Sequence, residues 1–160
     1  FYTYFVDKED IFRYVMHFFM GNAVEFIVNT LKEAKGDIIE MSIKLYDTYE
    51  DCKAKNTNEK FGLVDSVMES FFTFKKTDIN KNLRNENVFQ KEFGKILCEK
   101  LWDNCSEELK GYGKEAFLSL LELIFTILFK AASKREFLNE DRVQVRKQLM
   151  EWMGFIRRGI

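Results

Sequence analysis

Apolar residues recur along this chain every three or four positions, in long runs separated by short polar stretches. That spacing lines one face of a helix and predicts six helical stretches. The first, about Lys8 to Ala34, places Phe12, Val15, Phe19, Ala23, Phe26, Thr30 and Leu31 in an inward stripe, with Gly21 as a candidate bend. Asp37, followed three residues later by Glu40, caps a second helix to about Ala54, with Ile38, Met41, Leu45, Tyr49 and Cys52 on its buried face. A third, about Asn58 to Phe74, presents Phe61, Val64, Met68, Phe71 and Phe72 and ends in a polar loop, Lys75 to Glu86. The fourth, capped by Asn87 with Gln90, turns Phe89, Phe93, Ile96, Leu97, Leu101, Trp102 and Cys105 inward and stops at Gly111-Tyr112-Gly113.

The last two stretches differ in kind. From Glu115 to Lys130 the polar residues fall only at Glu115, Ser119, Glu122, Thr126 and Lys130, a single narrow stripe on an otherwise apolar helix. One apolar side can cover the domain core, and the remainder calls for a second apolar surface. The final helix, read as capped by Asn139, repeats this with Val145, Leu149, Trp152, Met153 and Ile156 in one stripe and Val143, Met150 and Phe155 off it. Together they predict a homodimer built on Leu118, Leu121, Phe125, Leu128, Val145, Leu149, Trp152, Met153 and Ile156.

Composition agrees with an all-α fold: 160 residues, no Pro, only 8 Gly and 46% hydrophobic content, enough for one core and too much for a disordered chain. A net charge of −1 argues against nucleic-acid binding through bulk charge. The charge is uneven, however, with +4 in residues 130–160 and −5 before them. Arg142, Arg146, Lys147, Arg157 and Arg158 read as a solvated outer face. Cys52, Cys98 and Cys105 are in no metal spacing, and with one His no zinc set is expected. The run Phe117–Phe129 carries Glu122 and is too short to span a bilayer, so no membrane partner is expected. No phosphate loop, nucleophile–base pair or metal-ligand spacing is present, which predicts a non-enzyme without cofactor.

The residues most informative about function come first. Phe1-Tyr2-Thr3-Tyr4-Phe5 is followed by Val6-Asp7 and then Lys8-Glu9-Asp10-Ile11-Phe12. Asp7 is a good N-cap with a carboxylate at Asp10 three residues on, so a helix is expected from Lys8, its N–H groups and positive dipole end directed back toward Tyr2 and Tyr4. Such a cluster suits a phosphate, although aromatics at this spacing also serve as the seam of a small helical core. The string resembles the point in TetR-family transcriptional regulators where the recognition helix ends and the long connecting helix begins. That resemblance covers about a dozen residues. It implies that residues 1–7 are the remnant of a helix-turn-helix domain whose upstream part, about 35–45 residues, is missing from the chain. Residues 8–160 are then the effector-binding and dimerisation domain, with about six helices.

By the same resemblance, Tyr2, Thr3, Tyr4 and Lys8 match positions that face operator DNA, while Phe1 and Phe5 match packing positions. The family pairs its last two helices with those of a second copy, which spaces two reading heads about one DNA turn apart, roughly 34–36 Å. It is bacterial and cytoplasmic, most often repressing, and is released from double-stranded operator DNA by a small ligand held between the middle helices. Here those helices are rich in aromatics and Met, implying a lipophilic ligand lined by Phe19, Phe26, Met41, Tyr49, Phe61, Met68, Phe71, Phe72, Phe93 and Trp102, with Tyr46, Tyr49 or His17 as polar anchors. Core packing competes for most of these residues. The alternative reading is a non-enzymatic helical bundle acting as a protein-interaction or lipid-carrier module.

Overall fold

The helix expected from Lys8 runs unbroken to Glu33 as α1, 26 residues, straight through Gly21. In the computed structural model, residues 6, 8–55 and 84–159 are described, together with most of their side chains. Asp10 accepts the Val6 backbone N–H at 3.1 Å, and Asp7, the expected cap, lies outside the described residues. The buried side of α1 is Ala23, Val24, Ile27, Val28, Leu31 and Ala34. It is broader than the expected stripe, because α1 packs on two helices at once and must be apolar toward both. Phe26, expected inside, is only half-buried, and the side chains of Phe12, Val15 and Phe19 lie outside the described residues.

Gly36 closes α1. It takes φ +84° and donates its N–H back to Leu31 O at 3.0 Å, satisfying a carbonyl that the helix end would otherwise leave bare. Lys35 before it is also left-handed, at φ 56°. Asp37 then caps α2 (Ile38–Lys55), its Oδ1 accepting the N–H groups of Ile39 at 2.9 Å and Glu40 at 3.1 Å. The expected α2 face holds: Ile38, Met41, Tyr49 and Cys52 are buried and Leu45 is half-buried.

The third expected helix, with Phe61, Val64, Met68, Phe71 and Phe72, lies outside the described residues. The fourth is two helices, α3 (Arg84–Asn104) and α4 (Glu107–Gly111). The chain breaks at Cys105-Ser106 because the Ser106 N–H is spent on Gly36 O at 3.1 Å, and Ser106 Oγ accepts the Leu109 N–H to start α4. On α3, Leu97, Leu101 and Cys105 are buried and Trp102 half-buried. Ile96, expected inside, is exposed.

The chain then forms an antiparallel hairpin of α5 (Lys114–Glu136) and α6 (Arg142–Gly159), joined by residues 137–141. Asn139 does not cap α6. It adopts φ 48° in the turn, and Asp141 is the cap, accepting the Gln144 N–H at 3.1 Å. The core gathers α1's Ile27 and Leu31, α2's Ile38 and Met41, α3's Leu97 and Leu101, α5's Phe117, Leu121 and Ile124, and α6's Val145, Leu149 and Met153. Every described element is helical, so the all-α expectation holds among the described residues. By length and composition α5 could cross a membrane, since the helix containing Phe117–Phe129 extends to 23 residues. The expectation that this run is too short is corrected to that extent.

Candidate functional site

The residues expected to face DNA lie outside the described structure: Tyr2, Thr3 and Tyr4 entirely, Lys8 in its side chain. The ligand set is partly placed. Met41 and Tyr49 are buried in the core, Phe26 and Trp102 are half-buried against it, and the Trp102 ring meets Phe117 edge-on at 5.3 Å. Phe61, Met68, Phe71 and Phe72, with the side chains of Phe19 and Phe93, lie outside the described residues. Neither tyrosine is a vacant anchor. Tyr46 donates to Glu50 at 2.9 Å and Tyr49 to Glu136, while His17 sits on the exposed side of α1.

The expected dimer face divides in two. Leu121, Leu128, Val145, Leu149 and Met153 are buried inside the single chain's core, so they are closed to a partner in this fold. Phe125, Trp152 and Ile156 are half-buried at its margin, with the Lys130 and Lys134 ammonium groups 5.3 Å and 5.9 Å from the Trp152 ring centre. Leu118 is exposed, joined on the outer surface by Leu123, Val143, Met150 and Phe155. The polar stripe from Glu115 to Lys130 is solvent-facing throughout, as its spacing predicts. The apolar residues that α5 and α6 leave at the surface are thus distinct from the deepest residues of each helix.

The basic residues read as a solvated face are exposed, and three of them also pair with α2 or its cap. Arg146 grips Asp47 with two bonds of 2.8 Å and 3.0 Å, Arg142 reaches Asp51 at 3.1 Å, and Arg157 reaches the cap Asp37 at 3.0 Å. Beneath them lies Glu50, its side chain 3% exposed, held by Arg135 Nε at 2.7 Å, by Tyr46 and more loosely by Arg142. Lys53 adds a 2.7 Å pair with Glu136. Burial, then the Glu50 carboxylate, push the Tyr46 phenol well above its ordinary value, so it stays a donor. The Glu50 hydrogen bond raises Arg135, and Asp47 raises Arg146. Burial lifts the Cys98 and Cys105 thiols, keeping both protonated and poorly nucleophilic. This ionic seam went unforeseen. Its trace in the sequence is complementary sign: acids at 47, 50 and 51, bases at 135, 142 and 146.

A second unforeseen feature is a pocket of about 210 Å³ where the α1–α2 turn, the start of α4 and the end of α6 meet. Lys35, Asp37, Ile38, Ile39, Ser106, Glu108, Leu109 and Arg157 line it. It is far more polar than the aromatic cavity expected. No protein family, curated protein or solved structure matches the chain.

Proposed function

We propose that this chain is the effector-binding and dimerisation part of a TetR-like DNA-binding transcriptional regulator, acting as a repressor. The observation that carries the reading is the α5–α6 hairpin: its inner side completes the core, while its outer side still exposes Leu118, Leu123, Val143, Met150 and Phe155. A second copy related by a two-fold axis supplies the surface that such a face calls for. In sequence α1 follows the tyrosine-rich cluster, so a tilt of α1 relative to the hairpin would alter the spacing of two reading heads. Tyr2, Thr3, Tyr4 and Lys8 are the proposed DNA contacts. The proposed effector is a small lipophilic molecule near Phe26 and Trp102, the half-buried members of the aromatic set.

Two measurements test this. Sedimentation should show dimers for the unaltered chain and monomers for Leu123→Glu or Phe155→Glu, both surface changes that leave the core intact; dimers persisting in both variants would sink the interface. In protein carrying the upstream segment, Lys8→Ala should weaken duplex binding and lower its salt slope by about one unit. Failure to enrich any duplex from a random pool would defeat the regulator assignment itself.

A further inference from the structure

We propose that the pocket at the junction of the α1–α2 turn, α4 and the end of α6 binds a small zwitterion, namely an α-amino acid with a short aliphatic side chain. The chain is pinned by two contacts around this space. Gly36 O accepts the Ser106 N–H at 3.1 Å, Arg157 bonds Asp37 at 3.0 Å, and a Cβ at Gly36 would lie 2.7 Å from Ser106 N. The walls are therefore preformed, which lowers the ordering cost of binding.

Size and charge then select the occupant. The volume, about 210 Å³, falls below the range of about 300–1,000 Å³ usual for drug-sized ligands, and corresponds to about seven waters. That excludes a large lipophile and suits a metabolite of amino-acid size. Two cations, Lys35 and Arg157, and two anions, Asp37 and Glu108, stand around the space, so a ligand of single sign meets repulsion as well as attraction. Arg157 and Asp37 satisfy each other. Among the described residues, Lys35 and Glu108 have no ion-pair partner, which leaves one ammonium for a ligand carboxylate and one carboxylate for a ligand ammonium. Edges of Ile38, Ile39 and Leu109 form the apolar part of the lining, against which an aliphatic side chain can rest.

This site is independent of the regulator reading, since its lining shares no residue with the proposed DNA contacts or dimer face. Calorimetry of the intact chain with L-leucine should give saturable one-site binding. Isocaproate and isoamylamine, which each lack one of the two charges, should bind at least about tenfold more weakly. Lys35→Gln and Glu108→Gln should each weaken L-leucine by about tenfold or more without shifting the thermal midpoint, both side chains being exposed. No saturable heat up to about 10 mM L-leucine overturns the proposal. So does isocaproate binding as tightly as L-leucine, which would mark a plain anion site at Lys35 and Arg157, and so does undiminished binding in both variants.

Discussion

The two sides of α2 differ in what is added to the apolar core they share. Toward α1 it packs apolar surface, with Ile38 and Met41 against α1's Ile27 and Leu31 in one continuous core. Toward the α5–α6 hairpin the same core is supplemented by ion pairs at Asp47, Glu50, Asp51 and Lys53 and at the cap Asp37. An apolar contact tolerates sliding, because its energy depends on area removed from water and hardly on direction. A row of paired charges fixes register, because each bond is lost within an ångström or two of displacement. The ion pairs therefore fix the register of α2 on the hairpin, while its contact with α1 is set by apolar area.

The largest effect should follow from attacking the seam at its buried point. Glu50→Ala leaves Arg135, with a side chain 20% exposed, without its carboxylate and should cost about 3–5 kcal/mol in urea unfolding. Replacing both partners, Glu50→Leu with Arg135→Met, should restore most of that loss, since a buried pair rarely outperforms well-packed apolar residues of similar volume. A double variant no better than Glu50→Ala would show that the pair contributes more than the removal of an orphaned charge. On the apolar side, Leu31→Ala should cost about 3 kcal/mol by opening a cavity between α1 and its neighbours.

Periodicity made the apolar side legible and hid the polar one. The α2 face was readable because Ile38, Met41, Leu45, Tyr49 and Cys52 repeat at three- and four-residue steps. Glu50 was not, because a carboxylate on a helix is ordinarily solvated, and only the fold brings Arg135 to it from 85 residues away. Five of the expected dimer residues lie in the chain's own core for a related reason. Periodicity finds the middle of an apolar face, and in α5 and α6 that middle is the chain's own core, so Leu121 and Val145 were read as interface while Leu123 and Val143 remained outside. The break at Ser106 depended on Gly36, distant in sequence, and the pocket depended on that same contact.

That contact yields a smaller and sharper test. Gly36→Ala forces a side chain onto a left-handed residue with Ser106 N only 2.7 Å from the added carbon, so about 1–3 kcal/mol should be lost by thermal or chemical unfolding. If the pocket walls are set by this approach, L-leucine binding should weaken with it. Loss of stability with unchanged binding would separate the turn from the pocket.

Acid titration sharpens the comparison again. Burial alone would raise the Glu136 carboxyl, but the Lys53 and Tyr49 hydrogen bonds outweigh it and hold the group below its ordinary value of 4.5. A depressed folded-state value means that this contribution to stability is complete above about 4.5 and is lost as pH falls through the lower, folded value. Glu136→Gln should therefore flatten the acid limb of the stability curve below pH 4.5 and leave its neutral part nearly parallel to the unaltered chain. An unchanged acid limb would remove Glu136 from the seam's working members.

The smallest effect belongs to the outermost pair, and it bears on the seam's role as a register device. Arg146 and Asp47 are about half and two-fifths exposed, at 46% and 39%, yet their two bonds have bidentate geometry. Exposed pairs are typically worth about 0.2–1 kcal/mol and fade with salt, so Arg146→Ala should cost less than about 1 kcal/mol, and less again in about 1 M salt, where the screening length is about 3 Å. Glu50 and Arg135 lie deeper, where ions screen poorly, so the Glu50→Ala cost should barely change with salt. Hydrogen exchange separates stability from register: Arg146→Ala should speed exchange in the first turns of α6 before it affects the global midpoint, because the α1–α2 core remains untouched. Equal salt sensitivity for both variants would mean that the seam is solvated along its whole length, and the apolar contacts alone would then set how α2 meets the hairpin.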